Sequence, residues 1–155
     1  MTVKFSTPTE MIVMAKRALS DDEWDYINGA AESETSLRRN RQALDCLALR
    51  PRVLRDVRHP DASCTFQGIK LRMPVLLAPM GGLERFTTNG GNDVDDAAEE
   101  FGLINFISTV TAPTLEEIAA NSPHPKVFQI YVRGDDDWIQ TLVRRVVKAN
   151  TGALL

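Results

Sequence analysis

PVLLAP at residues 74–79, LINFIS at 103–108 and KVFQIY at 126–131 are the stretches that decide the fold. PVLLAP is a continuous apolar run and LINFIS and KVFQIY are largely apolar, which suits strands buried on both faces, as in parallel sheets. Helical patterns lie between them. A helix is expected from about Asp93 to Phe101, closed by Gly102. Thr114 and Glu117 form a capping box that opens a second helix through Ala120, each side chain satisfying the other's exposed amide. Acidic residues 135–137 suit a helix N-terminus. They precede an apolar stripe of Ile139, Leu142, Val143, Val146 and Val147. A fourth strand is expected to begin at Ala153-Leu154-Leu155 after Gly152. Strand-helix-strand alternation with short connections predicts parallel strands in chain order, joined by crossover helices. Periodicity leaves a doubly wound sheet and a closed barrel both open. The absence of a G-x-G-x-x-G fingerprint after the first strand lowers the dinucleotide-binding form of the former.

Upstream of Met73 the pattern differs. Met11, Ile12, Ala15 and Leu19 share one helical face. Ser20 and Glu23 make a capping box for a short helix that carries Trp24 and Ile27 and ends near Gly29. A third helix runs from about Thr35 to Leu44. Arg50-Pro51-Arg52 breaks the helical pattern, because proline lacks an amide donor and restricts the residue before it. Residues 64–66 and 69–71 flank Gln67-Gly68, which predicts a β-hairpin. The expected division is 1–72, helices and hairpin, and 73–155, the strand-helix repeat.

Composition narrows the function. The chain of 155 residues is 43% hydrophobic and 25% charged, with a net charge of -3. That balance gives no pull toward nucleic acid. No apolar run approaches membrane-spanning length, and no apolar signal core opens the chain. Cys46 and Cys64 stand alone, as expected of reduced thiols in a cytoplasmic protein. No metal site is expected, since His59 and His124 sit beside prolines without partners at ligand spacing.

In parallel sheets of this kind, sites form at the carboxyl ends of the strands. Those ends carry Ala78-Pro79-Met80-Gly81-Gly82, then Ser108-Thr109, then Gln129 and Tyr131. Alternation puts Val127, Gln129 and Tyr131 on one face and Phe128 and Ile130 on the other. Gln129 can donate and accept toward an amide edge, and Tyr131 can donate to a carboxylate.

An ordered series of residues resembles the FMN-dependent α-hydroxy-acid oxidase and dehydrogenase family. It runs from Trp24-Asp25-Tyr26-Ile27-Asn28-Gly29-Ala30-Ala31 through Asn40, Arg50-Pro51-Arg52-Val53-Leu54, Met73-Pro74 and Ala78-Pro79. Ser108, Glu116-Glu117-Ile118-Ala119 and Gln129-Ile130-Tyr131 complete it. The resemblance implies an α/β fold, the N-terminal part of a (β/α)8 TIM barrel preceded by helices and a hairpin. It implies FMN as cofactor, with Ala78, Pro79, Met80 and Gly81 along the ring and Ser108 and Gln129 on its pyrimidine edge. Tyr26 and Tyr131 would bind the carboxylate of a small 2-hydroxy acid. The family's catalytic histidine, arginines and phosphate loops match no residue of this chain. The expectation is therefore that a complementary chain completes the barrel, that this chain alone is inactive, and that the complete protein is a homo-oligomer. A non-catalytic truncated barrel fragment is the alternative, as is an FMN barrel of isomerase type, against which the tyrosine pair argues. The chain departs from the family pattern at Met80-Gly81, at residues 87–92 and at Val110. Glycine at 81 would leave extra room beside the flavin.

Overall fold

The computed structural model describes residues 5–149 and the backbone of 152–154. Two compact units divide the chain, one ending at His59 and the other starting at Pro60. The first holds three helices: α1 (Pro8–Ala18), α2 (Asp21–Asn28) and α3 (Thr35–Asp45). Thr7 caps α1 by accepting the Glu10 amide at 3.2 Å. The Ser20–Glu23 capping box opens α2 as expected, with Glu23 Oε2 accepting the Ser20 amide at 2.8 Å. Gly29 ends α2 by donating to the Asp25 carbonyl. The ammonium of Lys16 lies 5.4 Å from the Trp24 ring centre. The apolar face expected on α1 is present, yet none of the residues in these helices is buried.

The second unit opens with a hairpin, β1 (Cys64–Phe66) antiparallel to β2 (Ile69–Leu71). Gln67 and Gly68 both take positive φ, the geometry of a tight two-residue turn. Four parallel strands follow: β3 (Leu76–Leu77), β4 (Ile104–Ser108), β5 (Lys126–Gln129) and β6 (Gly152–Leu154). They form one sheet in the order β3-β4-β5-β6, all neighbours parallel. The strand start expected at Ala153 falls within β6, and Leu155 lies outside the described residues. β3 is shorter than the run at 74–79 suggested, because Pro74 and Pro79 bring no amide to the ladder. Helices α4 (Gly91–Phe101), α5 (Leu115–Asn121) and α6 (Asp136–Lys148) link the strands.

Strand alternation sorts the side chains into two layers. Ile107 and Phe128 pack with Leu115, Ile118, Leu142 and Val146 of the helices. Ile104, Phe106 and Val127 face the other way and pack with Leu71, Cys64, Phe66 and Ile69 of the hairpin. The hairpin therefore belongs with the strands, and the boundary lies between His59 and Pro60 rather than at 72/73. Its apolar side chains cover a sheet face that would otherwise be wet. No helix among the described residues is long and apolar enough to cross a membrane.

The helix-facing layer also contains a buried charge. The Lys126 ammonium lies 3.1 Å from Asp95 Oδ2, and both side chains are essentially inaccessible. Lys126 donates to the Ser122 carbonyl at 2.7 Å and the His124 carbonyl at 2.9 Å. Asp95 accepts from Ser122 Oγ, Asn121 and, more weakly, Asn105. Burying an ion pair is tolerable when its remaining hydrogen-bonding capacity is met in this way.

Candidate active site

Register brings the expected polar groups together at the carboxyl ends of β4 and β5. Ser108 is paired with Gln129 in the parallel ladder. Ser108 is buried, and its Oγ accepts the Val110 amide at 3.3 Å. That bond uses the oxygen and leaves the hydroxyl proton for another acceptor. Gln129 is half-buried, yet its side-chain oxygen is fully covered and has no hydrogen-bond partner. A buried carbonyl without a donor costs free energy, so it marks a place for one. Tyr131 follows β5, with its side chain 44% exposed and the Arg133 guanidinium 5.8 Å from its ring centre.

Thr109 makes the contacts that hold this corner. Its hydroxyl donates to the Gln129 carbonyl at 2.5 Å and accepts the Tyr131 amide at 3.0 Å. In the sequence Thr109 stands out only as one hydroxyl of a Ser-Thr pair, and nothing there marks this bridge.

At the end of β3, Ala78 and Met80 line an apolar cavity of about 400 Å³ together with Leu77, Val94, Ile107 and Ser108. Gln129 and Tyr131 do not line it. Asp93 also lines it, and hydrogen bonds from Asn89 and then Thr87 hold its carboxyl below the usual aspartate range.

Pro79 and Gly81 lie in the same strand-end segment, but Gly81 corrects one expectation. A Cβ built on it would lie 2.6 Å from Val110 Cγ2 and 2.9 Å from the Val110 carbonyl oxygen. The room left by glycine is filled by Val110 and is not open to a ligand. Nearby, the Gly82 amide donates to the Val110 carbonyl and the Gly91 amide to the Ala112 carbonyl. At Gly90, with φ +54°, a Cβ would meet the Ala112 oxygen at 2.2 Å. The loops after β3 and β4 are thus joined through glycines that permit close backbone approach.

Tyr26 lies in the first unit, on α2, and is 57% exposed. His124 does not reach the carboxyl ends of the strands. His124 precedes β5 at the opposite end, where its Nε2 contacts the Leu103 carbonyl, and His59 ends the first unit. Among the described residues no cluster of three or more potential ligands could hold a metal ion.

Parallel strands with crossover helices define an α/β protein, with small or polar residues gathered at the carboxyl ends of its strands as a candidate site. The family model for FMN-dependent dehydrogenases matches residues 15–155, and the chain belongs to that family. Glycolate oxidase 1 of Oryza sativa subsp. indica is 34% identical over 145 residues, 94% of this chain and 39% of the relative. L-lactate dehydrogenase of Allorhizobium ampelinum is 37% identical over 150 residues, 97% of this chain and 40% of the relative. The crystal structure of mandelate oxidase superposes with a TM-score of 0.91 at 29% identity, covering 98% of this chain and 44% of that one. The chain thus spans about two fifths of the length of the curated relatives it matches.

Proposed function

We propose that the second unit is the flavin-facing part of an FMN-dependent oxidoreductase that converts small 2-hydroxy acids to 2-oxo acids. On this reading its four parallel strands are the first half of a (β/α)8 barrel and the hairpin covers the barrel's floor. The observation that carries the proposal is the covered, unpartnered Gln129 Oε1 beside Ser108, in a chain of this family. The imide N–H of a flavin is a donor of the kind that oxygen lacks, so the residues fit the cofactor. The Ser108 hydroxyl has a proton to give to a ring carbonyl, and the backbone of Ala78, Pro79, Met80 and Gly81 would run along the ring. Bound FMN supplies the two-electron acceptor that oxidation of a secondary alcohol requires.

Tyr131 would donate to the substrate carboxylate. Removal of the hydroxyl proton needs a base within hydrogen-bond reach of the substrate. His124 lies at the opposite end of β5, and we assign that role to a group on the remaining barrel strands, outside residues 1–155. Relatives named as glycolate oxidase, L-lactate dehydrogenase and mandelate oxidase support small 2-hydroxy acids as the substrate class.

The test is a titration of FMN with the purified chain, followed by quenching of flavin fluorescence. Weak saturable quenching is expected of a chain without the family's phosphate loops, with Gln129→Leu weakening it further by about three- to tenfold, the loss of one hydrogen bond. Absence of saturable quenching by the unmodified chain overturns the proposal. So does unchanged affinity in Gln129→Leu.

A further inference from the structure

We infer that Thr109 is a positioning residue for the strand-end site, acting on Gln129 and Tyr131 through the main chain between them. The inference rests on the proposed flavin reading for its functional meaning, but the geometry stands by itself. The β4–β5 ladder ends at the Ser108–Gln129 pair. Beyond it, the Gln129 carbonyl and the Tyr131 amide flank Ile130, and both meet the Thr109 side chain. A single hydroxyl serves both, donating at 2.5 Å and accepting at 3.0 Å. Each bond fixes one side of the Ile130 residue, and the pair therefore sets the backbone directions from which the Gln129 and Tyr131 side chains depart.

Ile130 packs against the helix-side core, so the segment is held from that side by apolar contact and from the other by Thr109. Without the hydroxyl, two main-chain groups in a part-buried corner lose their partners at once, and the segment must reorient to find water. Gln129 Oε1 would move with it. Serine preserves the hydroxyl and removes only a methyl group. Valine preserves the shape and removes both bonds. Alanine removes both bonds without the branched bulk.

The experiment compares the full chain with Thr109→Val, Thr109→Ala and Thr109→Ser. It reads FMN affinity by fluorescence quenching, and the Gln129 side-chain amide and Tyr131 backbone amide resonances by ¹H–¹⁵N spectroscopy without flavin. Valine and alanine should weaken FMN binding about tenfold and displace both sets of resonances, while serine restores each toward the unmodified chain. Equal FMN affinity in all four proteins overturns the inference. If the unmodified chain fails to bind FMN, the flavin reading falls and the resonances decide. Unmoved Gln129 and Tyr131 signals in the alanine variant then overturn the positioning role, and displaced signals rescued by serine support it. Should the valine variant not fold, the alanine and serine pair carries the same comparison.

Discussion

At the residue scale, Thr109 holds the corner beyond β4 and β5, its hydroxyl serving the Gln129 carbonyl and the Tyr131 amide at once. The position of Ser108, Gln129 and Tyr131 at or just past the strand ends is legible in the sequence, because strand alternation and strand order depend on chain order alone. The Thr109 bridge is not, because it depends on where two strands stop pairing. The space at Gly81 is not legible for a similar reason, since a glycine's missing side chain says nothing about which neighbour occupies the gap. Val110 is that neighbour, and the contact makes a prediction. Gly81→Ala should destabilise the chain by roughly 1–3 kcal/mol through overpacking. Adding Val110→Ala removes the Cγ2 clash and should recover part of the loss, although the Val110 carbonyl stays close. Urea denaturation of the two single variants and the double variant measures the coupling, and strictly additive effects would refute the contact.

At the scale of elements, the helix ends are where the local code is most explicit. Both capping boxes expected from Ser20–Glu23 and Thr114–Glu117 are formed. Thr114→Ala should cost about 1 kcal/mol, read from the midpoint of chemical denaturation. Hydrogen bonds from the Thr114 side chain and then its backbone hold the Glu117 carboxyl below its ordinary range. A carboxyl whose folded value is lowered stabilises the fold above its unfolded value, and that contribution fades as pH falls through the folded value. Melting temperature should therefore drop on acidification below the ordinary glutamate range. Glu117→Gln, which has no proton to gain there, should show a shallower drop. Identical acid limbs in the two proteins would remove Glu117 from the account. The strands were legible as parallel neighbours in chain order, since buried apolar runs separated by helices leave few topologies. Their lengths were less so, because the prolines at 74 and 79 shorten β3 in a way that hydropathy ignores. The hairpin was legible as an element, but its attachment to the sheet rests on packing between residues distant in sequence.

At the scale of the whole chain, the buried Asp95–Lys126 pair is the feature that apolar patterning obscured. Lys126 begins a run that reads as strand, and charge at such a position looks like a solvated end. Here it is enclosed by α4, β5 and the segment around Ser122. Lys126→Met should cost about 3–5 kcal/mol, because it leaves Asp95 buried without its counter-charge. Replacing both, as Asp95→Leu with Lys126→Met, should cost much less. A double variant as unstable as the single one would show that the cluster matters for more than charge balance. The strand order β3-β4-β5-β6 has a different consequence, one for biosynthesis. Spatial order is also the order of translation, so each strand after β3 meets a neighbour already made as it leaves the ribosome. Few long-range closures are needed, and the sheet can grow from one edge by successive addition. Nascent chains stalled beyond β4, and then beyond β5, should show stepwise gains in protease resistance rather than one late transition.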